Sequence, residues 1–200
     1  MRHEPARTFL DAPFLATLVP GVADVAVLGA AHGTPYQPGE ASHAAEAPAS
    51  LRGALGWYAA ATDAFDFDSE TPLMGGARLV DVGDVPGDVV DGAANRLAIA
   101  GAVGEILAAG AVPLVLGGDD SVPIPVLEAF AGTTLTIVQI DAHIDWRDSV
   151  DGVRHGFSST MRRASEMAHV RAMVQVGARG PGSARERDVR DAEAWGAEIV

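Results

Sequence analysis

The sequence contains no cysteine and no lysine. The first absence excludes disulfides, thiolate metal sites and cysteine nucleophiles. The second leaves arginine as the only strong cation: all 14 basic residues are Arg, against 27 acidic residues, for a formal net charge of −13. That balance argues against non-specific binding to nucleic acid or to an anionic membrane surface. No apolar stretch reaches the roughly 18 residues of a membrane span. The opening Met1-Arg2-His3-Glu4-Pro5 carries an acid and a proline and leads into no apolar run, so it does not read as a secretory signal. A cytoplasmic location is the expectation.

What remains is an ordinary globular composition. Of 200 residues, 48% are hydrophobic and 20% charged, enough to bury the core of one domain. Five apolar runs read as strands: Asp24 to Gly29, Ala77 to Val82, Val112 to Leu116, Leu135 to Ile140 and Ala172 to Val176. They are continuous rather than alternating, the pattern of buried parallel strands. Helical spacing runs from Asp91 to Ala109 with Gly110 as a stop, and further helices are expected over Ser158–Ala168 and Ser183–Gly196. Pro35–Pro48 and Asp63–Gly76 read as long surface loops. The alternation predicts an α/β fold, three-layer α/β/α with a mostly parallel sheet.

In such sheets ligands gather beyond the carboxyl ends of the strands. Two strands end in polar clusters: Gly117-Gly118-Asp119-Asp120-Ser121 and Asp141-Ala142-His143-Ile144-Asp145. In an extended segment Asp141, His143 and Asp145 share one face. Two carboxylates and an imidazole there suit a divalent metal of the Mn, Fe, Co or Ni kind. A lone Asp-x-His-x-Asp is equally a polar strand end with caps and turns. A second acidic cluster at the same edge tips the balance, because grouped buried carboxylates are costly without a cation. His155, on the loop before the next helix, is a candidate proton carrier, although taken by itself it reads more readily as a surface-loop histidine.

These residues resemble the ureohydrolases, the arginase and agmatinase group, in their agmatinase-like branch. The family's Asp-Ala-His-x-Asp stands intact at 141–145, and Gly117-Gly118-Asp119-Asp120-Ser121 stands where the family has Gly-Gly-Asp-His-Ser. Arg154-His155-Gly156 follows where it has Ser-His-Gly, and Val174-Gln175-Val176-Gly177-Ala178-Arg179-Gly180 is also agmatinase-like, as is Leu28-Gly29 followed by Gly33-Thr34-Pro35-Tyr36-Gln37-Pro38-Gly39. The resemblance implies two divalent metal ions, usually Mn with Ni or Co as alternatives, at the carboxyl edge of the sheet. It implies a bridging hydroxide that attacks a guanidino carbon, releasing urea and an amine. It makes Asp141, Asp145 and His143 metal ligands, puts Asp120 in the place of a histidine ligand, and gives His155 a proton-shuttling role. It further implies a homo-oligomer, trimer or hexamer, and a small guanidino substrate.

Two departures matter. Asp120 adds negative charge where the family has a neutral imidazole, which favours a cationic substrate. The family's third motif, an Asp-x-Asp, is absent; by agmatinase-like spacing it would fall beyond Val200, and Gly196–Val200 reads as the start of a strand. The expectation is a single ureohydrolase-like domain over 1–200, the N-terminal two thirds of the family domain, inactive or very weak by itself. Both departures also suit a non-catalytic relative that binds a ligand or supports an oligomer. After the metal motif, Trp146 and Arg147 are expected at the mouth. Arg147 pointing inward would favour a guanidino acid; Trp146 over the substrate would favour guanidine or agmatine; a solvated loop is the alternative for both. A nucleotide-binding reading is weak, since no Gly-x-Gly-x-x-Gly follows the first strand.

Overall fold

The computed structural model describes residues 2–200. In chain order its elements are β1 (Val25–Ala30), α1 (Ala47–Leu55), the short strands β2 (Phe65–Asp66) and β3 (Thr71–Pro72), β4 (Leu79–Asp84) and α2 (Gly92–Ala108), then β5 (Val112–Gly117), α3 (Pro123–Glu128), β6 (Leu135–Ile140), α4 (Thr160–Ser165), β7 (Val170–Val176), α5 (Glu186–Trp195) and β8 (Glu198–Ile199). The architecture is three-layer α/β/α with parallel sheets. The five expected strands and the three expected helices are all present within a few residues of their expected bounds. The additions are α1, α3 and the β2–β3 hairpin, which fall inside the stretches read as loops or left unassigned.

The expected single sheet is instead two three-stranded parallel sheets, ordered β4-β1-β5 and β6-β7-β8. Among the described residues no ladder joins β5 to β6. In this chain Val112 of β5 and Val138 and Ile140 of β6 are 62%, 64% and 85% exposed.

The first sheet shows how alternation places the layers. Ala26, Leu28 and Ala30 of β1 and Val80 and Val82 of β4 face Ile99, Val103 and Ile106 of α2 in one core. Those α2 residues recur at helical spacing. Asp91 caps the helix by accepting from Ala94 N (2.9 Å), and Gly110 leaves it with φ 79°, which favours glycine. The opposite face carries Asp81 and Gly29, and there α1 packs through Arg52. Its guanidinium pairs with Asp81 (Nε–Oδ2 2.8 Å, Nη2–Oδ1 3.0 Å) and Asp84 (Nη1–Oδ1 2.6 Å). Arg52 and Asp81 are fully buried, and a Cβ at position 29 would lie 1.7 Å from Asp84 Oδ1. Glycine is thus required in β1 for this ion pair to form.

The second sheet packs Met173 and Ile137 against Met161, Ala164 and Ala192 in a separate core. Leu127 of α3 reaches into it from the first half. The halves are also tied near their carboxyl edges: Ser158 N donates to the Tyr36 hydroxyl (3.0 Å), and the Thr160 hydroxyl donates to the Asp120 carbonyl.

Candidate metal centre

The loops that leave β5 and β6 meet. The turn after β5 passes so close to β1 that a Cβ at Gly118 would lie 2.2 Å from the Ala31 carbonyl oxygen. Asp119 then turns inward and accepts from Ser121 N (3.0 Å) and Ser121 Oγ (2.5 Å), while Ser121 Oγ accepts from Thr34 N (2.7 Å). With Asp119 engaged in holding the loop, Asp120 is the carboxylate that faces the second half. Its Oδ2 is buried and has no hydrogen-bond partner.

Asp120, Asp141 and Asp145 bring carboxylate oxygens within 4.8 Å of one another. They line a cavity of about 410 Å³ together with His43, His143, Phe157, Ser158 and Ser183. Desolvation raises the Asp120 carboxyl far above the usual carboxylate range, and the nearby carboxylates of Asp145, Asp141 and Asp119 add to the rise. Asp145 is raised as well, first by burial and then by the Asp141 charge, against the opposing hydrogen bond from Gln139. Three carboxyls this close hold a proton or a cation, because the low-dielectric interior magnifies their repulsion. The donor set is hard oxygen, with imidazoles nearby, which fits a divalent ion such as Mn.

The convergence does not come from strand periodicity as expected. β6 ends at Ile140, and Asp145 sits in the left-handed region at φ 45°. The loop curls, its Asp145 carbonyl accepting from Met161 N and Arg162 N (3.1 Å each) at the start of α4. Asp141 and Asp145 are brought together by this curl, and His143 is not. His143 N donates to Asp141 Oδ1 (2.7 Å), and its Nδ1 turns back to the same oxygen at 3.2 Å. Half exposed, it lines the cavity without joining the three-carboxylate cluster. Gly182 makes room for the ring: a Cβ there would lie 2.8 Å from His143 Cδ2.

The two residues expected at the mouth are elsewhere. Trp146 is 1% exposed and sits in the second core, its ring centroid 6.1 Å from that of Trp195. Burying so large an apolar side chain is favourable, and there it covers no substrate. Arg147 is neither inward nor solvated. Its Nη1 donates to the Ser183 carbonyl (2.9 Å) and its Nε lies 3.5 Å from Asp188 Oδ2, so it anchors the start of α5. His155 is half-buried. Burial lowers its pKa, as do the charges of Arg96, Arg163 and Arg154, with Glu166 opposing.

Sequence reasoning missed His43, Phe157, Ser158 and Ser183. His43 carries no motif and lies in a stretch read as a surface loop. It reaches the cavity because its ring meets Phe157 edge-on (centroids 5.6 Å, 82°), and Phe157 in turn contacts Tyr36 (4.6 Å).

Comparison with known proteins identifies the family and the fold. The family model described as the arginase family matches residues 23–200. A mitochondrial agmatinase from Gallus gallus is 33% identical over 127 residues, covering 62% of this chain and 35% of that protein. A guanidinobutyrase from Pseudomonas aeruginosa is 32% identical over 133 residues, 64% of this chain and 40% of that protein. Among solved structures, the proclavaminate amidino hydrolase from Streptomyces clavuligerus superposes with a TM-score of 0.78 at 26% identity, over 100% of this chain and 65% of that one. The chain therefore spans little more than a third of these curated relatives.

Proposed function

The chain belongs to the arginase family, and we propose that the protein carrying it hydrolyses a small guanidino compound to urea and an amine with the help of divalent metal. The observation that carries this reading is the cluster of Asp120, Asp141 and Asp145 in a shaped cavity, with Asp120 Oδ2 buried and unpartnered. These three carboxylates would hold the metal, with His143 able to turn from Asp141 toward it. Two ions, Mn with Ni or Co as alternatives, are the expectation from the resemblance. When bound, such ions supply Lewis acidity and an acidified water.

The chain's own residues define the remainder. The carboxylates attract the positive guanidinium and hold it at the strand ends. Phe157 and the loop bearing His43 wall the cavity against bulk water. His43 and His143 are the imidazoles on that wall, and His155, whose pKa burial and nearby arginines lower, would be the proton-carrying imidazole that the resemblance implies. In the balanced reaction one water adds to the guanidino carbon and one C–N bond breaks. The departing nitrogen takes up a proton and leaves as the tail's amine, or as ammonia when the substrate is guanidine itself.

Substrate class follows from what lines the cavity. Arg147 is committed to Ser183 and Asp188, so a substrate carboxylate loses the anchor a guanidino acid would need. Asp120 adds to the negative field. Guanidine or an agmatine-like cation is favoured over a guanidino acid.

The test is urea release by the full-length natural protein loaded with Mn²⁺, Ni²⁺ or Co²⁺, offered guanidine, agmatine and 4-guanidinobutyrate. Release from guanidine or agmatine, exceeding that from 4-guanidinobutyrate, is the expected result. No urea from any substrate with any of the three metals would refute the reading and leave a non-catalytic relative.

A further inference from the structure

We propose that Gln175 and Gln139 form a two-amide relay that fixes the Asp145 carboxylate for metal, with Gln175 a positioning residue that acts through Gln139. The inference rests on the metal-centre reading above.

The relay follows from strand register. Gln139 of β6 and Gln175 of β7 are paired partners in the parallel ladder, and both are buried, Gln139 at 8% and Gln175 at 1% exposed. Each lies two residues beyond a core residue, Ile137 and Met173, and so on the same face. Burying two long amides in an apolar layer costs free energy unless they are bonded. Here they are bonded in series: Gln175 Nε2 donates to Gln139 Oε1 (2.6 Å), and Gln139 Nε2 donates to Asp145 Oδ2 (2.7 Å).

The direction of the series is fixed by chemistry. Gln175 Nε2 also donates to the Ile144 carbonyl (2.8 Å). A backbone carbonyl only accepts, so the nitrogen of Gln175 must face it, and the same nitrogen faces Gln139. Gln139 must then present its oxygen to Gln175 and its nitrogen to Asp145. Its amide therefore meets the carboxylate as a donor, which favours the ionised form that a metal requires. Turning Gln175 over would place two oxygens against each other at both contacts. The fixed orientation leaves Gln175 Oε1 buried without a partner.

The consequence is a carboxylate that cannot rotate. The Asp145 backbone is held by its carbonyl at the start of α4, and one carboxylate oxygen is held by Gln139. Outer partners of this kind typically change metal affinity about 10- to 100-fold when removed.

The experiment is a Mn²⁺ titration of the full-length protein, read by electron paramagnetic resonance, with Gln139→Met, Gln175→Met and the double variant. Methionine keeps the volume and removes only the amides. Gln139→Met is expected to weaken Mn²⁺ binding about tenfold or more. Gln175→Met is expected to weaken it too, and the loss in the double variant should fall short of the sum of the two single losses, since Gln175 acts chiefly through Gln139. A purely structural role would shift melting temperature and leave Mn²⁺ affinity alone. Unchanged affinity in Gln175→Met, or losses that simply add, would overturn the relay while sparing the metal reading. A wild-type protein that binds no Mn²⁺, Ni²⁺ or Co²⁺ would overturn both. Should a methionine variant fail to fold, Gln175→Asn retains the chemistry but cannot span both acceptors, and the same loss of affinity is expected.

Discussion

Asp120 and Asp145 lie on loops that follow strands of different sheets, yet their carboxylates lie within 4.8 Å of each other and of Asp141. The sheets share no ladder at this point, so the contact is made by the loops. It is held by Thr160 on the Asp120 carbonyl and by the start of α4 on the Asp145 carbonyl.

Metal-free protein should therefore carry a shared proton at this cluster. Burial and mutual repulsion raise Asp120 and Asp145, so the native state holds protons that the unfolded chain releases above the ordinary carboxylate range. Stability of the metal-free protein is then expected to fall as pH rises above that range, because the unfolded state ionises first. Asp120→Asn should flatten this decline, and Mn²⁺ binding to wild type should release about one proton near neutrality. Calorimetric titration in two buffers of different ionisation enthalpy measures the release; binding with no proton release would contradict it.

Arg52 is the strut between α1 and β4. With Arg52 and Asp81 both fully buried, truncation leaves an uncompensated carboxylate that also holds Phe9 N and Gly83 N. Arg52→Ala should cost about 3–5 kcal/mol. The loss should be nearly independent of salt, since buried pairs are weakly screened. Urea denaturation at low and high ionic strength checks both points.

Arg147 should behave as an anchor of α5 rather than as a reader of substrate. Arg147→Ala is expected to lower stability and to reduce kcat/KM by similar factors for agmatine and 4-guanidinobutyrate. A loss confined to 4-guanidinobutyrate would place the guanidinium on a substrate carboxylate instead.

His155 should titrate below the ordinary histidine value of about 6.5, because burial and the charges of Arg96, Arg163 and Arg154 oppose its protonation. The native state then resists a proton that the unfolded chain accepts. Stability is expected to fall as pH drops below the ordinary value, and His155→Gln should remove that part of the acid limb. Imidazole resonances followed by NMR give the midpoint; a value at or above 6.5 would contradict the placement.

Much of the fold was legible because continuous apolar runs and helical spacing are strong signals. Asp91 and Gly110 marked the ends of α2, and all three clustered carboxylates were named from the strand ends. What was not legible depended on tertiary packing. The run from Val112 to Leu116 looked buried on both faces because hydrophobicity does not report which neighbour is present. Trp146 looked like a mouth residue by position, while the second core offered its ring a better place. His43 reaches the cavity only through Phe157, a contact that no local pattern encodes. Asp145 joins Asp141 through a left-handed turn rather than through the two-residue period of a strand.

The most direct test is manganese anomalous diffraction from crystals of the full-length protein grown with Mn²⁺. The account predicts manganese bounded by the carboxylates of Asp120, Asp141 and Asp145, lost in Asp145→Asn. Manganese bound only elsewhere, or a cluster that stays free of metal at saturating Mn²⁺, would contradict it.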